Sequence, residues 1–458
     1  MKPDMARHKE RHFTRSIQFF RRKSEMSHFG VLSYKGTGHL NPLIALSRQL
    51  VARGHRVTLF QHPELEQHVR ARGLEFFPID VPRSSSAVQP HGIASHKSRT
   101  RIGEITYRLR RIADDMEAFL REYPAAIRDA GVDTLIMGEI SLAGPTLAEM
   151  LGLPYFIVST SIPHNFGWDA PRSIVNPGSY LDRLQKELLE VSVLRMRGPV
   201  RRSLDRYRRK IGLGSIRNID KSFPELAHIT QWPQCLDLPR SKLPANFFYT
   251  GPFVDESGRA FVEFPWYRLD GRPLVYASLG TTRKSGAAIF HRIAEACCGL
   301  DLQLVISLGG RRDPATFSDL PGNPLVVGNA PQLELLKRAE MVISHAGPNT
   351  VLETLMHGKP LLALPMALDQ PAVATRLVAL GVAEVLSAEN RSTEQLRAAL
   401  LKVQRDPRYR NAARRLQAQL QSLHGPEQAA DIIEEKLAKS RDNTPSQAIL
   451  DDLPLITR

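Results

Sequence analysis

The chain has 458 residues, which at roughly 150 residues per domain is enough to bury two or three cores. Its three cysteines, the adjacent Cys297 and Cys298 and the distant Cys235, are too few for a disulfide framework or a four-ligand zinc site and fit a reducing cytoplasm. The formal net charge of +15 is concentrated at 1–25 and 195–210, and no apolar run reaches the roughly 18 residues a membrane span needs, because the longest uncharged stretch is broken by Pro154 and Pro163.

Basic clusters attract nucleic acid or anionic lipid, but no nucleic-acid motif accompanies these two. The run RMRGPVRRSLDRYRRK at 195–210 reads as a solvated face with arginine stems over apolar neighbours, available to an anionic membrane surface. Residues 1–26 lack the apolar core and cleavage site of a signal peptide and are expected to be a disordered basic extension.

The ordered part opens with a strand at 28–33 (HFGVLS) and a glycine-bearing loop at 34–39. A helix is expected from Asn41, with Leu43, Leu46 and Leu50 on one face, and a second strand at 56–60 (RVTLF). Such a βαβ unit requires a parallel sheet. Strand patterns at 134–137 and 155–159 and helical patterns at 102–123 and 181–211 complete a first domain, 27–245. The stretch 246–272 reads as a linker from its turn residues, Gly251, Pro252, Gly258, Pro265 and Gly271. A second series, 273–426, has strands at 274–279, 302–308, 325–327, 341–344 and 361–364 with helices between. A helix at 427–440 and a tail at 441–458 follow. The expected fold class is α/β, with two facing Rossmann-like doubly wound parallel sheets and a cleft between them.

His39, in KGTGHLNP, lies where the end of the first strand faces that cleft. Histidine is the side chain whose ordinary pKa lets it take a proton near neutrality, so His39 is a candidate base. Gly36 and Gly38 suggest a dinucleotide loop, but Asn41 stands at the third glycine position and Phe60, Gln61 and His62 supply no acid for a ribose. Hydride transfer is therefore disfavoured. The densest signal is at 329–370, NAPQLELL followed by SHAGPNTVLETLMHGKPLLALPMALDQ. There His345, Ala346 and Gly347 follow a strand, and Pro348, Asn349 and Thr350 begin a helix, whose free N–H groups and dipole form an anion site. His345 adds a diphosphate contact as a cation or through N–H, and Glu353, one turn on, is placed to accept from ribose hydroxyls. Gly280 and Thr281, in SLGTT, form a second anion-facing loop.

These segments resemble the nucleotide-sugar-dependent glycosyltransferases of the two-Rossmann-domain (GT-B) type, in particular the zeaxanthin glucosyltransferase and macrolide glycosyltransferase group. The resemblance runs from about 28 to 436 through GHLNP, TGPF (250–253), YASLGT (276–281), APQLELL (330–336) and HAGPNTVLETLMHGKPLLALPMALDQ (345–370). It implies an acceptor-binding first domain, a donor-binding second domain, and a final helix that crosses back onto the first. It also implies His39 as general base, His345 and Gly347 with Asn349 and Thr350 at the phosphates, and Gly280 and Thr281 beside them. Glu353 would take the ribose, Gln332 would lie near the uracil, and Asp369 and Gln370 would take the sugar hydroxyls. Two positions depart from the pattern. Asn329 replaces a tryptophan that stacks on the base, and Gly138 stands where an aspartate partner of the histidine is expected, with Glu139 beside it as a substitute.

The implied activity is inverting, metal-independent transfer from a UDP-sugar, with no other cofactor, to a hydroxyl of a lipophilic small molecule. UDP-glucose and a carotenoid are the first expectation, and a macrolide or other secondary metabolite the second. The Asp-x-Asp pair common in metal-dependent sugar transferases is absent, since Asp114-Asp115 and Asp451-Asp452 have the wrong spacing. The rivals are an epimerase or lipid-linked cell-wall transferase, and a sugar-nucleotide-binding accessory protein without turnover. No nucleic-acid partner is expected, and the location is cytoplasmic, with peripheral contact to anionic membrane.

Overall fold

Strands β1 (His28–Leu32) and β4 (Thr134–Gly138) are buried at every position, as strands covered on both faces must be. In this computed structural model the described residues are 26–34, 36–79, 101–163 (side chains from 112), 200–216, 225–238, 240, 243–280, 287–310, 312–366, 369–387 and 392–442. The basic extension before residue 26, the tail after 442, Thr281 and all of 80–100 and 164–199 lie outside them.

The first sheet has seven parallel strands in the order β3-β2-β1-β4-β5-β6-β7, with β2 Arg56–Gln61, β3 Glu75–Pro78, β5 Tyr155–Ser159, β6 Ala227–Thr230 and β7 Phe247–Tyr249. Its helices include α1 (Thr37–Ala52), α2 (Glu66–Arg70), α3 (Arg101–Asp129) and α4 (Gly144–Leu151). The second sheet runs β10-β9-β8-β11-β12-β13, with β8 Leu274–Ser278, β9 Gln303–Ser307, β10 Leu325–Val327, β11 Ala339–Ser344, β12 Leu361–Ala363 and β13 Ala383–Val385. Around it lie α5 (Ala287–Cys297), α6 (Gln332–Arg338), α7 (Pro348–Met356), α8 (Gln370–Ala379), α9 (Thr393–Arg405) and α10 (Pro407–Gln421). In both sheets the strand order reverses beside the first strand, at β1/β4 and β8/β11, the crevice where open α/β sheets hold ligands.

Two boundaries differ from the expectation. Strand β7 falls inside the expected linker, its three residues lying just ahead of the turn residues Gly251 and Pro252. Helix α1 begins at Thr37 rather than 41, so His39 lies in its first turn instead of a preceding loop. The Gly36 carbonyl accepts from the N–H groups of His39 and Leu40 (2.9 and 3.0 Å), which starts the helix ahead of its apolar face.

The domains meet through a shared apolar cluster in which Ile162, Trp232 and Leu236 of the first pack with Ala346, Val351 and Leu352 of the second. The last helix, α11 (Gly425–Asp442), returns to the first domain and places Ala429, Ala430, Ile433 and Leu437 among the core residues of β1 and α1. Arg53 fixes it by pairing with Asp431 and Glu434 at 2.6 and 2.9 Å. Within the basic run, Arg208 is no surface charge: it is 1% exposed, with its guanidinium 2.6 Å from Glu149. Among the described residues no helix is long and apolar enough to cross a membrane.

Candidate active site

The donor side is built at the carboxyl ends of β8, β11 and β12. His345 follows β11 and is buried, and loss of hydration pushes its imidazole down to about 4. It is therefore neutral at physiological pH, and its single N–H is donated to the Ser278 carbonyl. Two glycines make room for it. A Cβ at Gly280, whose φ is +78°, would stand 2.5 Å from Nε2, and one at Gly347 would collide with the same atom. Ala346 takes a left-handed φ of 61° between them, strain that an alanine adopts only where its surroundings enforce it. Gly347 then caps α7, with Pro348 at its first turn, so the unpaired N–H groups of that turn open beside His345.

Glu353, one turn into α7, is 2% exposed and held at both oxygens. Arg259 Nη2 donates to Oε1 and Gln332 Nε2 donates to Oε2 at 2.6 Å, while Tyr276 Oη donates to Gln332 Oε1 at 3.2 Å. Arg259 comes from the connection between domains and was not singled out from the sequence. Its guanidinium sets an opposite charge against this buried carboxyl group. Asp369 takes the N-cap position of α8, and Gln370, buried at its first residue, accepts from the Met366 N–H at 2.9 Å. Thr350 is half-buried in the first turn of α7, and its carbonyl accepts from Thr354 Oγ1.

The acceptor side is built at the carboxyl ends of β1, β4 and β5. His39 is half-buried, with Nδ1 2.7 Å from Thr160 Oγ1, a hydroxyl one residue beyond β5. Glu139, one residue beyond β4, accepts from Ser159 Oγ at 2.5 Å, and that hydroxyl also lies 2.7 Å from His228 Nε2. Gly138 has room for a side chain, the nearest atom to an added Cβ being 3.9 Å away. The sequence reading missed Thr160. The one signal for it is positional, a hydroxyl immediately past a buried strand.

The halves touch at Asn349, which was assigned to phosphate oxygens. Its side chain instead spans the domains: Nδ2 donates to the Gly38 carbonyl, and Oδ1 accepts from Gln231 Nε2 at 2.7 Å. The proposed base and the start of the donor helix are thus adjacent across the domain boundary.

Residues 31–163 match the family described as Glycosyltransferase family 28 N-terminal domain, and 291–436 match the one described as Erythromycin biosynthesis protein CIII-like, C-terminal domain. The chain is 30% identical over 421 residues to zeaxanthin glucosyltransferase of Pantoea ananas, covering 90% of this chain and 96% of that protein. It is 27% identical over 413 residues to oleandomycin glycosyltransferase of Streptomyces antibioticus, covering 90% and 91%. A crystal structure described as the glycotransferase of kitacinnamycin superposes with a TM-score of 0.70 at 24% identity, over 90% of this chain and 99% of that one, a likeness of fold.

Proposed function

Because this chain belongs to the two-domain glycosyltransferase family that includes the zeaxanthin glucosyltransferases and macrolide glycosyltransferases, we propose that it transfers a hexose from a UDP-sugar to a hydroxyl of a lipophilic small molecule. UDP-glucose and a carotenoid alcohol are the first choice. The observation that carries this reading is the convergence of two different sites on one crevice. A half-exposed histidine stands on one side, and a helix terminus with a neutral, buried histidine stands on the other, tied together through Asn349.

In the proposed reaction the acceptor oxygen attacks the anomeric carbon in line with the departing diphosphate, and configuration inverts. His39 donates from Nδ1 to Thr160 and takes the acceptor proton at Nε2 as the new C–O bond forms. The electron pair of the broken C–O bond leaves with UDP. The N–H groups of α7, with the His345 ring beside them, stabilise the charge that builds there. Glu353, held in place by Arg259 and Gln332, accepts from the ribose hydroxyls. No divalent ion enters this scheme, so EDTA should leave the rate unchanged.

Mass spectrometry of UDP-glucose reactions with a panel of lipophilic alcohols tests the reading. Glucosides of zeaxanthin-like alcohols support the first choice, and glucosides of macrolides alone support the second, which the match to the erythromycin protein family favours. Binding of UDP without release of UDP from UDP-glucose, or products with peptides or polysaccharides only, would sink the proposal. The exposed Arg201, Arg202, Arg206, Arg209 and Lys210 suit contact with an anionic membrane that carries such acceptors, at about 1 kcal/mol each near the surface. Vesicle binding that does not weaken with salt would contradict that contact.

A further inference from the structure

One residue outside every motif joins the element that carries His39 to the one that begins the donor helix. Gln231 follows β6 and is 1% exposed. Its Oε1 accepts from the Phe253 N–H at 3.1 Å, and its Nε2 donates both to the Thr160 carbonyl at 2.5 Å and to Asn349 Oδ1 at 2.7 Å. The backbone leaves no choice in this orientation. A peptide N–H only donates and a peptide carbonyl only accepts, so the oxygen must face Phe253 and the NH2 group must face Thr160. The second N–H then needs an acceptor, which turns Asn349 with its oxygen toward Gln231 and its nitrogen toward the Gly38 carbonyl.

That carbonyl is free to accept because of the sequence of α1. Four residues after Gly38 in the helix stands Pro42, which has no N–H to return to it. The proline of GHLNP thus leaves a vacancy in its own helix that a side chain of the other domain fills. Gly38 adjoins His39, and His39 reaches Thr160, so the circuit closes: His39, Thr160, Gln231, Asn349, Gly38.

We propose that Gln231 is a positioning residue for transfer, holding the base of the first domain and the donor helix of the second in one register, so that occupancy of the donor side is felt at His39. The inference rests on the reading of His39 as base and of the α7 terminus as the diphosphate site. Gln231 is too buried to touch either substrate, and its two N–H bonds tie the Thr160 backbone to Asn349 of the other domain, beside the apolar packing of Ile162. Deleting them leaves the Thr160 carbonyl and Asn349 amide short of a partner in a region of low dielectric, where such losses move neighbouring groups.

Hydrogen exchange on the full chain, with UDP as the probe, separates this inference from the reading beneath it. In the wild type, saturating UDP should slow amide exchange at 345–353 and, through the ring, at 36–41, by about threefold or more. Gln231→Leu should keep the protection at 345–353 and lose it at 36–41. Asn349→Ala breaks the same ring at a half-buried position and serves if the leucine variant does not fold, as thermal unfolding will show. On an alcohol that the wild type glucosylates, each variant should lower single-turnover transfer about tenfold, and the pair should lose no more than either alone, the non-additivity of residues acting as one unit. No protection at 345–353 in the wild type would refute the donor assignment itself. Protection there with unchanged protection at 36–41 in both variants, or losses that simply multiply in the pair, would overturn the role of Gln231.

Discussion

The two histidines of the crevice both come after central strands, His345 directly after β11 and His39 in the first turn of the helix after β1, and their surroundings are opposite. His345 is sealed between Gly280 and Gly347 and kept neutral by burial, whereas His39 is half-exposed in the first turn of a helix and bonded to a hydroxyl. A rigid, neutral ring suits a group that lines an anion site without changing its protonation. A histidine open to solvent suits one that must accept a proton and release it. Burial, not residue type, sets the two rings apart, and in the proposed reaction it divides the two tasks between them.

The sharpest way to break this comparison is His39→Ala, which should lower turnover about 100-fold or more while leaving UDP affinity nearly intact by calorimetry. A fall in affinity equal to the fall in rate would place His39 on the donor side instead. Gly280→Ala should do the reverse. Its Cβ would press on the His345 ring at a left-handed φ, weakening UDP binding by about 2 kcal/mol, or roughly 30-fold in Kd. Unchanged affinity would mean that the ring can move aside without consequence.

Thr160→Val tests the hydroxyl that orients the base. Loss of one hydrogen bond should slow transfer by about 1 kcal/mol, roughly fivefold, with Thr160→Ser close to wild type. Glu139→Gln completes the pair: if Glu139 orients His39 as well, the amide slows transfer without weakening UDP, and if Thr160 is sufficient, both stay as they were.

A further prediction concerns pH. His345, held near 4 against 6.5 for a free histidine, stays neutral between pH 6 and 8, so its contribution to UDP affinity should be flat across that range. Below it the unfolded chain binds a proton that the folded chain refuses. Stability should therefore fall as pH drops from about 6.5 toward 4, by at most about 1.4 kcal/mol per pH unit from this residue. His345→Gln should flatten that part of the melting profile, and an acid slope identical to wild type would refute the burial argument.

Much of this architecture was legible because its central strands are apolar on both faces and bounded by turn residues, as at 28–32, 155–159 and 274–278. Strands β3, β6, β7 and β13 were not: each is only three or four residues long, and β3, β6 and β13 include Glu75, His228 and Glu384, whereas the equally short β10 and β12 are wholly apolar. The donor side is a contiguous segment, so its residues could be named together. The acceptor side draws on positions 39, 139 and 160, whose proximity is created only by sheet order. Gln231 lay hidden for both reasons, one residue past a four-residue strand and beside nothing that repeats. The polar residues just after β5 and β6, in STSIP and ITQWP, carry the faint signal: polar side chains at the end of a buried strand stand at the mouth of the crevice.

The return of α11 has a consequence for synthesis. The first sheet emerges from the ribosome long before the residues at 429–437 that cover β1 and α1, so its core stays open along one face while the whole second domain is made. Gly251 lies so close to Gly425 that a methyl group at either would collide with the neighbouring chain, which makes this closure a tight final fit. A nascent chain stopped near 424 would hold a finished second domain and an unfinished first one, exposing apolar surface of the kind that recruits chaperones or aggregates. The chain thus completes first the domain that it makes second.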